Sequence, residues 1–243
     1  MALILSLETG TEICSVGLAR DGKLLALREN DGRNHARLLG VYIQELLDEM
    51  DIKPDELDAV AVGMGPGSYT GLRVGVSMAK GLCYGLNIPL IAVNSLQALA
   101  QVALEDFDAG ILSIDTLDNA VLCPMIDARR MEVYTQRFDK ELNTLSKIEA
   151  VILDESTFAD ILPAKQVVVF GDGASKVKTV ITSQNLVEVP VLPSARGMSA
   201  LAERAFLDDD FVDTAYFEPY YLKDFVVIPS KKNFFGSSKN LQE

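Results

Sequence analysis

The sequence is poor in the residues from which many metal and redox sites are built. It contains no tryptophan, one histidine (His35) and three widely separated cysteines without a CxxC pair. This argues against a zinc ribbon or a redox dithiol, and it excludes a metal site that needs two histidines of this chain. Cys14, Cys83 and Cys123 are predicted to be reduced thiols that act as small core residues.

Positive charge is also scarce. The chain has 22 Lys and Arg residues against 35 Asp and Glu, which gives a net charge of −13. Because binding to nucleic-acid phosphates needs clustered Lys and Arg, we expect no broad nucleic-acid surface. A local contact through residues such as Arg129, Arg130 and Lys223 stays open.

Long apolar runs are missing too. No run approaches the roughly 18 residues that a membrane-spanning helix needs. The N-terminal run MALILSL is not preceded by the basic segment of a signal peptide and soon meets Glu8. The sequence therefore predicts a soluble cytoplasmic protein whose first apolar run is a buried strand.

The two halves of the chain repeat one pattern. In the first, a strand over 2–7 ends at Glu8, and strands over 13–19 and 24–30 are joined by an Asp-Gly turn. In the second, a strand over 120–126 ends at Asp127. Further predicted elements are helices over 36–50, 70–86 and 174–183, and strands over 57–63, 131–138, 142–150 and 166–170.

This repetition predicts a duplicated α/β fold, with two lobes that each contain a mixed sheet flanked by helices. The predicted lobes are residues 1–108 and 109–225, followed by a polar tail over 226–243. Glu8 and Asp127 are expected to face each other across the cleft between the lobes. Together with Gly171 and Gly173 they are candidates for holding a nucleotide or Mg²⁺, although a degenerate cleft without a cofactor is the favoured interpretation.

The glycine-rich stretch GMGPGSYTGLRVG, residues 63–75, matches neither common phosphate-binding motif. Thr70 or Ser68 stands where a dinucleotide fingerprint needs its third glycine, and Leu72 and Arg73 stand where a P-loop needs Gly-Lys. Four glycines within the following helix reduce its intrinsic stability, so close packing of another element against it is expected to compensate.

The helices over 36–50 and 70–86 are predicted to carry a surface for a partner protein. Leu38 and Val41 lie off the core-facing stripe of the first helix, and two stripes of small residues run along the second. The predicted partner surface comprises Leu38, Val41, Tyr42, Thr70, Gly71, Val74, Gly75, Ser77, Met78 and Gly81.

Several motifs together resemble the TsaB (YeaZ) family of bacterial proteins, which take part in making threonylcarbamoyladenosine on tRNA. They are ILSLETGTEICSVGL, GMGPGSYTGLRVGVSMAKGL, IPLIAVNSLQALA, IDARRMEVYTQRF and YYLKDF, in the expected order from residue 2 to about residue 225. The resemblance implies the duplicated actin-like (ribonuclease H-like) fold shared with sugar kinases and heat-shock chaperone ATPases.

The resemblance further implies a non-catalytic subunit without cofactor or metal. It would bind and activate a TsaD-type catalytic subunit through the two helices, and a TsaE-type ATPase would dock on the pair. The modified base would be the adenosine 3′ of the anticodon in tRNAs that read codons starting with A, with tRNA bound mainly by the complex. The isolated chain could form a homodimer on the same helices.

Two enzyme hypotheses remain beside this one. TsaD-like chains carry a metal-binding histidine pair where this chain has Ser95 and Leu99, neither of which is a plausible ligand for a transition metal. A nucleophilic triad would have to use His35, which is expected to be a helix-start residue, so a peptidase has little support. The main alternative is an ATP-dependent small-molecule kinase or hydrolase of the same fold, using Glu8, Asp127 and the turn 171–173.

Overall fold

Two five-stranded mixed sheets organise the protein. The computed structural model describes residues 2–30, 32, 34–114 and 116–223. The first sheet has the strand order β3-β2-β1-β4-β5, in which β2 is antiparallel to β1 and β3, whereas β1, β4 and β5 are parallel. Its strands are β1 (Leu3–Glu8), β2 (Cys14–Arg20), β3 (Lys23–Asn30), β4 (Ala59–Gly65) and β5 (Leu90–Asn94).

The second sheet has the same connectivity. Its order is β10-β9-β6-β7-β8, with β6 parallel to β9 and antiparallel to β7. The strands are β6 (Ala120–Asp127), β7 (Glu132–Thr135), β8 (Glu149–Ile152), β9 (Gln166–Phe170) and β10 (Leu186–Glu188). Strands β6 to β10 thus occupy the positions of β1 to β5, which confirms the predicted duplicated actin-like fold.

Helices cover the sheets in layers. They are α1 (His35–Glu49), α2 (Tyr69–Leu86), α3 (Ser95–Asp108) and α4 (Ser199–Leu207). Helices α1 and α2 bury one face of the first sheet. Its other face is covered by Ala202 of α4 and the preceding Met198. Helix α3 follows the first sheet in the chain, yet Leu96, Leu99 and Val102 bury its apolar side against the second sheet.

Local sequence explains the elements that position the strand ends. Asp21 and Gly22 both adopt positive φ, as the two central residues of a type I′ hairpin turn require. In α1, Leu39, Ile43 and Leu46 are buried with helical spacing. None of the described helices is long and apolar enough to cross a membrane.

The second half departs from two predictions. The segment predicted as a helix over 174–183 forms only a 3₁₀ helix, Ala174–Thr179, because Val177, Thr179 and the β-branched run that follows disfavour a longer helix. The strand predicted over 142–150 begins at Glu149 instead. The predicted polar tail, residues 226–243, lies outside the described residues.

Candidate functional site: the strand ends and the exposed face of helices α1 and α2

Glu8 ends β1 as predicted, but its side chain is buried within the first half of the chain. The residue is 1% exposed. The Gly10 amide donates to Oε1 (2.7 Å) and the Ser95 hydroxyl donates to Oε2 (2.8 Å). The carboxyl group lies against Gly63, where a Cβ atom would overlap it. Burial raises the pKa of Glu8, against the smaller lowering by the hydrogen bond from Gly10.

Asp127 ends β6 in a different environment. Its side chain is 41% exposed and pairs with Lys176 Nζ at 2.7 Å. The backbone amide of Asp127 donates to Asp172 Oδ1 (2.9 Å), and burial raises the pKa of Asp172. Glu8 and Asp127 thus have separate partners within the chain. That they face each other across a cleft stays a prediction.

The two glycines proposed for the cleft lie in close contact with other parts of the chain. Gly171 has φ of +105°, and a Cβ atom there would overlap the Met125 carbonyl oxygen. A Cβ atom on Gly173 would lie 2.9 Å from Val133 Cγ1 and 3.2 Å from the Asp127 nitrogen. Among the described residues, no group of three or more His, Cys, Asp or Glu side chains is placed to hold a metal ion.

Ser95 and Leu99 lie where the resemblance places the histidines of TsaD-like chains. Ser95 is buried, and besides donating to Glu8 its hydroxyl oxygen accepts from the Gly65 amide (3.3 Å). Leu99 is buried in the core between α3 and the second sheet. His35 begins α1, as predicted, and its Nε2 lies 2.9 Å from the Thr11 carbonyl oxygen.

The glycine-rich loop folds back on the loop between β1 and β2. The Ser68 amide donates to the Gly10 carbonyl (2.6 Å), and the Ser68 hydroxyl caps α2 by accepting from the Gly71 amide. Gly67 lies so close to Gly10 that a Cβ atom would overlap the Gly10 carbonyl. The loop glycines therefore allow close backbone approach within the chain.

The predicted partner surface needs one correction, at Gly71 and Gly75. Both are buried, and a Cβ atom on either would overlap Thr9, at its carbonyl oxygen and its Oγ1 respectively. Thr9 Oγ1 also donates to the Gly71 carbonyl (2.9 Å). These two glycines therefore accommodate the β1–β2 loop and present nothing to a partner.

The rest of that surface is at least partly exposed. We call it the α1–α2 face; it comprises Leu38, Val41, Tyr42, Thr70, Val74, Ser77, Met78 and Gly81, and extends to Tyr84 and Gly85. Val41 is 48% exposed and Tyr84 is 88% exposed, and among the described residues a Cβ placed on Gly81 or Gly85 has no neighbour within 4 Å beyond its own stretch of helix. Tyr84 was absent from the prediction, although its wheel position opposite the core stripe could have indicated it.

Residues 212–223, which we call the C-terminal strap, connect the two halves. The strap leaves β5 at Val212, and Lys80 of α2 donates to the carbonyls of Ala215 (3.0 Å) and Phe217 (2.9 Å). The Tyr220 amide then donates to the Met64 carbonyl (2.8 Å). Tyr221 packs on Tyr69 with ring centroids 5.0 Å apart and accepts from Arg73.

The strap reaches the second half at Lys223, which forms an ion pair with Glu132 and lies 5.9 Å from the ring centroid of Tyr134. Glu132 and Tyr134 belong to β7, which pairs with the end of β6. The strap thus bridges the halves on the side where the parallel strands end, the usual ligand side of an open α/β sheet.

The fold and the site together define the class of protein. It is a duplicated actin-like protein in which the residues at the strand ends form hydrogen bonds and ion pairs with other groups of the same chain. Comparison with known proteins agrees. Residues 29–168 match the family model of TsaD, tRNA N6-adenosine threonylcarbamoyltransferase. YeaZ from Pseudomonas aeruginosa superimposes with a TM-score of 0.77 at 28% identity, covering 91% of this chain and all of that one.

Relatives that align with this chain over most of their length identify its family. The TsaB protein of Haemophilus influenzae, named for tRNA threonylcarbamoyladenosine biosynthesis, is 32% identical over 91% of this chain and 93% of its own length. The Escherichia coli protein of the same name is 31% identical over 94% and 99%. The chain belongs to the TsaB family.

Proposed function

We propose that this protein is the non-catalytic partner of a TsaD-type transferase in the synthesis of threonylcarbamoyladenosine on tRNA, and that it acts in the cytoplasm. It binds the catalytic subunit through the α1–α2 face and stabilises its active conformation. The complex modifies the adenosine 3′ of the anticodon in tRNAs that read codons starting with A. The names of the TsaB relatives support the pathway.

The observation that carries the partner role is the α1–α2 face itself. Within the described part of the chain, a Cβ atom built on Gly81 or Gly85 would stand in open space, and Val41 of α1 and Tyr84 of α2 are strongly exposed. Glycine in an exposed helix costs about 1 kcal/mol relative to alanine. Packing within the chain does not account for these two glycines. Close approach of a partner helix does, because small residues let two helices come together.

A catalytic role receives no comparable support. Glu8 is buried and both of its carboxyl oxygens are hydrogen-bonded within the chain, so it is poorly placed to bind Mg²⁺. Ser95 and Leu99 are likewise used for internal contacts. The kinase or hydrolase hypothesis would need these groups to be available in the cleft.

Reconstitution tests the function. The TsaD-type and TsaE-type proteins, threonylcarbamoyl adenylate and tRNA are incubated with and without this chain, and modified adenosine is scored by mass spectrometry. Modification that depends on the chain supports the proposal. Equal modification without the chain, or ATP turnover by the isolated chain, contradicts it.

Surface variants test the interface. Gly81→Leu improves the intrinsic helix propensity of α2, and a Cβ atom at this exposed position has no neighbour within 4 Å outside its own helix in the described part of the chain, so the variant is expected to remain folded. We expect it to weaken the heterodimer about tenfold or more, and Val41→Glu to do the same. Analytical ultracentrifugation measures the affinity.

Ile152→Glu is the matched control, because Ile152 is a 70% exposed apolar residue in the second half. Heterodimer affinities for Gly81→Leu and Val41→Glu equal to that of the control would contradict the proposed interface. The same measurement on the isolated chain tests the homodimer, which is expected to be lost in the same two variants.

A further inference from the structure

The hairpin that joins β6 to β7 carries two adjacent residues in an unusual backbone conformation. Arg129 and Arg130 have φ of +70° and +50°, in the left-handed region that costs a residue other than glycine free energy. Hydrogen bonds hold this shape, from the Ala128 amide to the Glu132 carbonyl (3.1 Å) and from the Glu132 amide to the Arg129 carbonyl (3.2 Å). A strained backbone held in this way points to a functional use of the two side chains.

Two acidic residues beside this hairpin, Asp127 and Glu132, have cationic partners. Asp127 pairs with Lys176, whose ammonium group also donates to the Glu132 carbonyl (3.0 Å). The Glu132 carboxylate pairs with Lys223 of the strap. Arg129 and Arg130 are exposed, and no described residue supplies their guanidinium groups with an anionic partner. The hairpin tip therefore carries local positive charge, although the net charge of the protein is −13.

We propose that Arg129 and Arg130 bind phosphates of the tRNA backbone when the tRNA is held by the complex. This inference rests on the proposed function. Guanidinium groups bind phosphate oxygens in pairs of hydrogen bonds, and two long side chains from adjacent residues can reach neighbouring phosphates. The net charge of −13 limits the contact to such a local one.

The position of the hairpin favours RNA over the other anionic ligands. The α1–α2 face belongs to the helices that cover one face of the first sheet, whereas the hairpin lies at the strand-end edge of the second sheet. The strap, with the Tyr220–Met64 and Lys223–Glu132 contacts, crosses between the halves on the strand-end side. A free nucleotide entering the cleft from that side would have to displace it.

The test measures binding of a fluorescent, unmodified tRNA transcript to the complex of this chain with its TsaD-type and TsaE-type partners, over a series of KCl concentrations. The variant is Arg129→Gly/Arg130→Gly, because glycine adopts positive φ without strain and the hairpin is expected to keep its shape. The matched control is Lys147→Ala/Lys165→Ala, which removes two exposed positive charges from the same half.

We expect the arginine variant to raise the Kd for tRNA by about fivefold or more. The slope of log affinity against log salt should fall by about 1.4 to 1.8, corresponding to two phosphate contacts. The control should change both quantities less. Millimolar ATP should not compete for the arginine-dependent part of the binding.

Three results would overturn the inference. An arginine variant whose Kd and salt slope equal those of the control rules out the phosphate contact, and if modification still requires the chain, the proposed function survives. Loss of the heterodimer with an unchanged salt slope would assign the arginines to a protein contact. Modification that proceeds without the chain would remove both the inference and the proposed function.

Discussion

Glu8 holds three segments of the first half together through a single carboxyl group. Its two oxygens accept from the Gly10 amide and the Ser95 hydroxyl, and Ser95 in turn accepts from the Gly65 amide. The β1–β2 loop, the glycine-rich loop and the start of α3 thus meet at one buried residue. The hydrogen bonds that Glu8 accepts favour its ionised form, whereas burial favours the neutral form and has the larger effect on its pKa.

This arrangement gives Glu8 a defined effect on stability as pH changes. The unfolded chain ionises Glu8 near pH 4.3, whereas the raised pKa keeps the proton on the folded chain to higher pH. The stabilisation is therefore fully present below about pH 4.3 and is lost as pH rises through the folded pKa, by up to about 1.4 kcal/mol per pH unit. Glu8→Gln, which does not titrate, should gain stability relative to the wild type over this window.

Urea denaturation at a series of pH values from 4 upward measures the effect. The difference in the free energy of unfolding between Glu8→Gln and the wild type should be smallest near pH 4 and move in favour of the variant as pH rises. Glu155→Gln, at an exposed position, is the matched control. A constant difference for Glu8→Gln would show that Glu8 is ionised in the fold.

Among the helices, α2 has two glycine-containing faces with opposite surroundings. Gly75 lies against Thr9 Oγ1, whereas Gly81, less than two turns further on, has open space. Gly81→Ala should raise the free energy of unfolding by about 0.8–1.0 kcal/mol through helix propensity. Gly75→Ala should instead lower it by about 1–3 kcal/mol, because the new methyl group overlaps the threonine.

The two alanine variants serve as controls for each other, since they make the same substitution in one helix. Urea denaturation with a common m-value separates their effects. Equal stabilisation by both would mean that the β1–β2 loop moves away from α2 at little cost.

At the level of the whole molecule, each half contributes a helix that packs on the sheet of the other half. Helix α3 follows the first sheet in sequence but packs on the second, and α4 comes from the second half but covers the first sheet. We propose residues 1–108 and 109–225 as the two sequence repeats, but the exchange means that the repeats are not independent folding units.

The fragment 1–108 should therefore fail to fold alone. It would expose Ile4, Ile91 and Val93 on the sheet and Leu96 and Leu99 on α3, all of which are buried in the full chain. We expect a fluorescent hydrophobic dye to bind the fragment, and urea to produce no cooperative transition by circular dichroism. A sharp transition, with an m-value proportionate to 108 residues, would contradict this expectation.

The sequence alone predicted the elements with strong local patterns. The apolar runs that end at Glu8 and Asp127, the Asp21-Gly22 turn and the buried stripe of α1 all lie where periodicity and turn chemistry placed them. The wheel of α2 likewise predicted its two stripes of small residues.

The remaining features depend on contacts between residues far apart in the chain. The buried stripe of α2 is the one that contacts Thr9, about 60 positions earlier in the chain. The hydrogen bonding of the Glu8 carboxyl group likewise depends on Ser95. The strap is held by Lys80 and Met64, more than 130 positions before it. Local periodicity contains no signal for such pairs, so burial of the predicted cleft and partner residues had to come from the structure.

The exchanged helices also have a consequence for synthesis on the ribosome. The first sheet is complete once Asn94 has been made, but the helix that covers its second face ends only at Leu207. At about 5–20 residues per second, translation of this interval takes roughly 6–23 s. During that time the apolar face of the nascent sheet is uncovered, so the growing chain presents a binding site for chaperones until α4 emerges.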